Sequence, residues 1–196
     1  ADSSECALVQ IGFTEMSMRC WIIQVFFATP RRTLWWIAIA LTGMLVFGLY
    51  LQNAVGLRPC PMCIVQRYCM VVIALTAFAG ALTSSRKIHA FSLALIGLIA
   101  CGGAFVAGRQ SWLQWYPPEV VNCGRDFYGM IEQLPLSHAI PQIFSGNGDC
   151  SQVDWTFLGA SIANWSFLCF TLLIIMSSGW LVTLYKRSRK KPALFP

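Results

Sequence analysis

The chain of 196 residues is 57% hydrophobic and only 11% charged, whereas a soluble domain usually carries about 25% charged residues. This deficit excludes an ordinary soluble domain and indicates a membrane protein. The formal net charge is +6, but no helix–turn–helix, zinc-finger or RNA-binding pattern accompanies it, so we expect no nucleic-acid partner.

The N-terminal segment, residues 1–32, does not match the pattern of the rest of the chain. Its start is acidic, and the apolar run at 20–30 is too short to span a bilayer. We expect either that translation starts at Met16 or Met18, or that the segment lies along the cytoplasmic surface. The segment lacks the basic start of a signal peptide, so a cleaved leader is not expected.

Four long runs without formal charge follow, at 33–57, 68–85, 88–108 and 155–185. A helix needs about 20 mainly apolar residues to cross a bilayer. The second run is short, but a helix that begins near Cys63 would be about one turn longer. The runs do not alternate and are too long for barrel strands, and helices satisfy their own backbone hydrogen bonds in lipid. The sequence therefore predicts four transmembrane helices.

Basic residues cluster beside these runs, at 31–32, 86–87 and 186–191. With four spans, all three clusters fall on one side, which the positive-inside rule makes cytoplasmic. The opposite side receives a short loop at about 52–63 and a long loop at about 115–164.

The predicted fold is an all-α membrane protein, a bundle of four transmembrane helices. Its membrane domain covers 33–185, a basic cytoplasmic tail covers 186–196, and both termini are cytoplasmic. A connection as long as the second outer loop is usually either functional or disordered.

Nine cysteines are distributed unevenly across this topology. Cys60 and Cys63 fall in the short outer loop, and Cys123 and Cys150 fall in the long one. Disulfides form and persist outside the cytoplasm, so these four are the candidates for redox chemistry. The other five have no spaced partner and are expected to act as small apolar residues: Cys6, Cys20, Cys69, Cys101 and Cys169.

Cys60 and Cys63 form a C-x-x-C pattern where the second predicted helix begins. Thiols in such pairs are often acidic and exchange readily, and the positive end of the helix dipole favours a thiolate at Cys63. Arg67 follows one turn later on the same helix face, where it could stabilise that thiolate or bind a quinone carbonyl. The alternative is an arginine that only reaches the water interface.

Cys123 and Cys150 allow three interpretations. They could form a static disulfide that closes the long loop, a labile pair that exchanges with the C-x-x-C, or half of a four-cysteine zinc site. The oxidising compartment and the wide spacing of the two cysteines disfavour zinc, so no metal is expected. The second dithiol in the neighbouring loop favours exchange.

Aromatic residues mark the outer end of the third predicted helix. Trp112, Trp115 and Tyr116 are typical of a membrane-interface belt. The same rings, together with Gln110 and Gln114, could line a pocket for a planar head group. Both interpretations remain open at this point.

These motifs together resemble the bacterial disulfide bond formation protein B (DsbB) family over residues 34–185. Their order, spacing and topology all agree with that family, and only the first thirty residues fall outside the match. The matching motifs are Arg58–Cys63, Gln66–Arg67, Trp112–Gln114, Cys123, Leu134–Pro135, Pro141–Phe144, Gly148–Cys150 and Trp155–Gly159.

The resemblance implies an inner-membrane enzyme that reoxidises DsbA, a soluble thioredoxin-like oxidase of the periplasm, and passes the electrons to a quinone, either ubiquinone or menaquinone. It also implies the disulfides Cys60–Cys63 and Cys123–Cys150. DsbA would attack Cys123, the released Cys150 would attack Cys60, and Cys63 would donate electrons to the quinone.

Arg67 matches the family's arginine after the C-x-x-C and, with Gln114, is expected beside the quinone. Two features depart from the family: Gln66 stands where Glu is frequent, and the N-terminal extension is long.

Three alternatives remain. The first is a branch of the family with other partners, such as the DsbI-like proteins. The second is a quinone reductase similar to vitamin K epoxide reductase, and the third is a scaffold held by static disulfides. The reductase class usually carries its C-x-x-C on a late helix.

Overall fold

Long apolar segments fold into helices in this chain because each backbone N–H must find its partner within the segment when lipid surrounds it. The structure, a computed structural model, describes residues 29–54, 56, 60–117 and 156–189. Its elements are helices α1 (Pro30–Ala54), α2 (Pro61–Leu82) and α3 (Arg86–Trp115), strands β1 (Thr156–Phe157) and β2 (Ala160–Ser161), and helix α4 (Ile162–Arg189). All four helices are long and apolar enough to cross a membrane, so the predicted all-α four-helix membrane fold is confirmed.

The start of α2 determines where the C-x-x-C lies. Cys60 is the N-cap residue, and its Sγ accepts a hydrogen bond from the Cys63 backbone N–H at 3.3 Å. Pro61 follows at the first helical position, where a missing N–H has no consequence. The helix therefore begins slightly before the expected start near Cys63, and the C-x-x-C forms its cap and first turn.

The helices pack in a chain of neighbours: α1 against α2, α2 against α3, and α3 against α4. Each helix contributes a fully buried side chain to one apolar core: Leu34, Ile73, Ile96 and Phe170. Trp180 adds a polar link between the first and last helices, since its Nε1 donates to Thr33 Oγ1 at 3.0 Å.

Large apolar side chains also cover the outside of the bundle. On α3, Phe91, Leu98 and Phe105 are each about 70% exposed, at 70%, 71% and 69%. A surface so rich in exposed apolar side chains would aggregate in water but is stable against lipid tails.

Close contact between α3 and α4 depends on a glycine. A Cβ placed on Gly103 would lie 2.5 Å from ring carbons of Phe170. Small residues let transmembrane helices approach closely enough for side chains to interdigitate. Gly102 differs, since nothing lies within 4 Å of its Cβ position.

The two short strands form a hairpin immediately before α4, which the sequence analysis did not predict. Thr156 pairs with Ser161 and Phe157 with Ala160. The turn residues Leu158 and Gly159 both have positive φ, 53° and 78°. Positive φ at both turn positions matches the right-handed twist of a two-residue hairpin.

The first two basic clusters lie at one end of the bundle, as the topology predicts. Arg31, at the start of α1, donates through Nε to the Ala81 carbonyl at 2.8 Å. Arg86, at the start of α3, donates through Nη2 to the Leu184 carbonyl near the end of α4. Each guanidinium thus lies at the negative end of a neighbouring helix. The C-x-x-C at the start of α2 lies at the opposite end.

Candidate functional site

Cys60 and Cys63 are in direct contact at the end of the bundle opposite Arg31 and Arg86. Both are thiols in this structure, and their Sγ atoms lie 2.8 Å apart. Cys60 is buried and Cys63 is half-buried. The first turn of α2 thus brings the two sulfurs close enough for a reversible dithiol–disulfide pair, while the disulfide itself stays a prediction.

A glutamine from a different helix binds both sulfurs. Gln110 on α3 donates through Nε2 to Cys60 Sγ at 3.3 Å and to Cys63 Sγ at 3.2 Å. Its side chain is buried, only 3% exposed. A carboxamide has two N–H donors, so one amide nitrogen can bind both sulfurs. Amide donors of this kind stabilise negative charge that develops on sulfur in a dry site.

A second buried glutamine fixes the orientation of the first. Gln66 on α2 donates through Nε2 to Gln110 Oε1 at 2.7 Å, and it is also only 3% exposed. Because this contact occupies the acceptor end of the Gln110 amide, its donor end points to the sulfurs. Gln66, Gln110, Cys60 and Cys63 form one hydrogen-bonded unit, which we call the glutamine–thiol cluster.

Arg67 lies between α2 and α1. Its Nη1 donates to Gln52 Oε1 at 2.6 Å, and its Nη2 donates to the Gly48 carbonyl at 3.4 Å. Arg67 follows Cys63 by four residues, which puts both side chains on one face of α2. The side chain is therefore anchored to α1 and does not merely extend to the water interface. Its expected contact with a quinone remains a prediction.

Gln114 lies one turn beyond Gln110 on α3, but its described contact is different. Its Oε1 accepts a hydrogen bond from Ser161 Oγ at 2.6 Å. Ser161 is buried and ends the hairpin that precedes α4. In the structure Gln114 connects α3 to this hairpin, and its expected place beside a quinone remains a prediction.

The aromatic residues near Gln114 are largely exposed. Trp112 and Tyr116 are 55% and 64% exposed, and their ring centroids lie 4.8 Å apart in a tilted arrangement. Close by, the Ser111 hydroxyl is buried and has no hydrogen-bond partner among the described residues. The last turns of α3 thus offer two adjacent aromatic rings and a buried hydroxyl.

The other two candidate cysteines, Cys123 and Cys150, lie outside the described residues, as does the long loop that carries them. Their disulfide and its exchange with Cys60 stay predictions. Within the described ranges, no group of three or more His, Cys, Asp or Glu side chains could hold a metal ion.

Comparison with known proteins identifies the family. A family profile described as "Disulfide bond formation protein DsbB" matches residues 30–179. The chain belongs to the DsbB family. The disulfide bond formation protein B of Polaromonas sp. strain JS666 is 58% identical over 151 residues, which cover 77% of this chain and 90% of that protein. The protein of that name from Polaromonas naphthalenivorans is 60% identical over 144 residues, which cover 74% of this chain and 86% of that protein. The one from Azoarcus sp. strain BH72 is 45% identical over 142 residues, which cover 71% of this chain and 84% of that protein.

The match confirms the resemblance found in the motifs, and the structure adds two residues to this DsbB-family site. From the sequence alone, Gln110 is a candidate only for a head-group pocket, and Gln66 is only a departure from the family's frequent Glu. A signal for both was present in the sequence, because each is a polar residue in a nearly uncharged helix. Such residues usually pair with another polar group across the helix interface.

Proposed function

We propose that this DsbB-family chain is a membrane thiol oxidoreductase that reoxidises a soluble DsbA-like protein and transfers the electrons to a quinone. The observation that carries the proposal is the glutamine–thiol cluster. It holds two thiols in contact at one end of a membrane bundle and directs buried amide donors to both sulfurs. A scaffold with static disulfides would have no need of donors that stabilise charge on sulfur.

The proposed reaction begins at the long loop. A thiolate of the DsbA-like partner attacks Cys123, which forms a mixed disulfide and releases Cys150 as a thiolate. Cys150 then attacks Cys60, which breaks the Cys60–Cys63 bond and leaves Cys63 as a thiolate. The partner's second thiolate displaces Cys123 and leaves with its own disulfide formed. Cys123 next displaces Cys60 from Cys150, so that the loop disulfide is restored and Cys60 and Cys63 remain as a dithiol.

The residues of the cluster would act at the two steps that place charge on its sulfurs, first on Cys63 and later on Cys60. Gln110 donates to the sulfur that leaves when Cys60 is attacked, and a better-stabilised leaving thiolate departs faster. The start of α2 adds partial positive charge at the same place. Stabilising the Cys63 thiolate favours the reduced form of the pair, which helps the Cys60–Cys63 disulfide to accept electrons from the loop cysteines.

The described residues fit a quinone next to Cys63. Arg67 supplies a guanidinium on the same face of α2 as Cys63, and its fork can bind a carbonyl or an anionic oxygen. The exposed Trp112 ring supplies a stacking surface, and the buried Ser111 hydroxyl, which has no partner among the described residues, supplies a further donor. When bound, a quinone would accept two electrons and two protons from the dithiol and become a hydroquinone. Arg67 would orient the head group, and Gln114 would contribute a second polar contact.

The proposed location is the bacterial inner membrane, with both termini in the cytoplasm and the cysteine loops in the periplasm. The basic residues at one end of the bundle support this orientation through the positive-inside rule. A cysteine introduced at Ser84, in a chain whose periplasmic cysteines are replaced by serine, should resist membrane-impermeant maleimide in intact spheroplasts. It should become labelled once the cells are lysed. Labelling without lysis would contradict the orientation.

The deciding experiment is anaerobic turnover. The full chain in detergent is mixed with a reduced DsbA-like dithiol protein and either a ubiquinone or a menaquinone analogue, and quinone absorbance is followed. We expect one quinone to be reduced for each disulfide formed. Cys63→Ser should abolish the signal, whereas Cys101→Ser, an exposed cysteine within α3, should leave it intact. An unchanged absorbance with the unmodified chain would overturn the proposal.

A further inference from the structure

A cleft of about 330 Å³ opens at the end of the bundle opposite Cys60 and Cys63. Its lining includes Arg31 from the start of α1, Arg86 and His89 from the start of α3, and Ser84 from the turn before α3. Leu184 near the end of α4 contributes an apolar wall. Two helices and the turn before α3 thus place cationic or polar groups around one concave space.

No carboxylate neutralises these cations within the described residues. All eight Asp and Glu residues of the chain lie outside the ranges that the structure describes. Arg31 and Arg86 each donate one N–H to a helix-end carbonyl. A guanidinium carries five N–H donors in a planar fork, so both side chains retain donors for an anionic ligand.

The backbone at the cleft favours an anion as well. The first turn of α3 contains no acidic residue, and its N-cap Ser85 makes no side-chain capping bond. The first N–H groups of a helix have no partner within the helix, and they carry partial positive charge. His89 adds no negative charge to the cleft, and its Nε2 already donates to the Thr83 carbonyl at 2.8 Å.

We propose that this cleft binds a phosphate group, supplied by the headgroup of an anionic phospholipid in the leaflet at this end of the bundle. Phosphate matches the guanidinium fork and the helix N-terminus. A lipid source follows from position, since the cleft lies where the transmembrane helices end and Leu184 offers apolar contact beside the cations. The site is far from the cysteines and does not depend on the thiol chemistry proposed above.

The test compares two adjacent arginines by native mass spectrometry of the full chain in a neutral detergent, with phosphatidylglycerol or phosphatidylcholine added. Arg31 lines the cleft, whereas Arg32 carries the same charge at the same helix end and does not line it. We expect phosphatidylglycerol to be retained and phosphatidylcholine not. Arg31→Gln should weaken retention about tenfold, the effect of losing one charge-assisted hydrogen bond. Arg32→Gln should change it little.

A second variant tests the site without removing a helix-capping contact. Ser84→Asp places a carboxylate in the cleft at an exposed position. It should abolish phosphatidylglycerol retention, because the carboxylate repels the phosphate. The helix content measured by circular dichroism should not change. Equal losses in the Arg31 and Arg32 variants, or equal retention of both lipids, would show general surface charge and overturn the proposal. Displacement of the lipid by inorganic phosphate at comparable concentration would assign the site to free phosphate and overturn the lipid source.

Discussion

Gln110 Nε2 lies 3.2 Å from Cys63 Sγ, so a side chain from α3 holds the thiol at the start of α2. The same nitrogen lies 3.3 Å from Cys60 Sγ. One amide nitrogen is therefore within hydrogen-bonding distance of both sulfurs. This contact crosses a helix interface, which ties the thiol geometry to the packing of the bundle.

Removal of the Gln110 amide should slow electron transfer. Gln110→Ala leaves charge on Cys63 without its buried donor, a loss of roughly 1–3 kcal/mol, so we expect quinone reduction to slow by about ten- to a hundredfold. Stopped-flow quinone absorbance measures this directly. Asn53→Ala removes an exposed carboxamide from α1 and serves as the control. If Gln110→Ala left the rate of quinone reduction unchanged, this donor would have no role in the reaction.

The Gln66–Gln110 pair should show strong coupling in stability. Gln66→Leu leaves Gln110 Oε1 buried without its partner, and Gln110→Leu leaves Gln66 Nε2 buried without its partner. Each variant should therefore lower the free energy of unfolding by about 1–3 kcal/mol. The double variant should lower the free energy of unfolding by less than the sum of the two single variants, because neither polar group then remains. Thermal unfolding in detergent gives the three values. Strict additivity would mean that the hydrogen bond does not form.

Arg67 should matter for the quinone more than for the thiols. Arg67→Met removes the guanidinium and should raise the KM for quinone by about tenfold or more, while the KM for the DsbA-like protein stays near that of the unmodified chain. Arg67→Lys keeps the charge but loses the fork, so its effect should be intermediate. Arg109→Gln removes a half-buried cation from a different helix, α3, and is the control. An equal effect of the Arg67 and Arg109 variants would contradict the assignment.

Neighbouring glycines on α3 should respond in opposite directions. Gly103→Ala forces a methyl group against the Phe170 ring and should destabilise the bundle by about 1–3 kcal/mol. Gly102→Ala meets open space and should stabilise the helix by up to about 1 kcal/mol. Phe170→Leu should partly rescue the Gly103 variant, because it frees the space that the methyl group needs. The melting temperature in detergent separates these outcomes, and equal shifts for the two glycines would argue against the packing.

The sequence by itself determined the number of transmembrane helices, the clustering of the basic residues and the position of the C-x-x-C relative to α2. Each of these depends on local composition: apolar length sets a span, and charge beside a span sets its orientation. The motifs around Cys60, Arg67 and Gln114 were also sufficient to indicate the DsbB family. The hairpin before α4 was not predicted, although Leu158-Gly159 forms its turn.

Only the tertiary structure decided which polar groups meet. Gln66 and Gln110 lie far apart in sequence, and their contact depends on how α2 and α3 are rotated against each other. The same holds for Arg67, whose partners Gln52 and Gly48 lie on α1. Hydropathy cannot show these pairings, because it records how apolar a helix is and not which face it turns toward its neighbour.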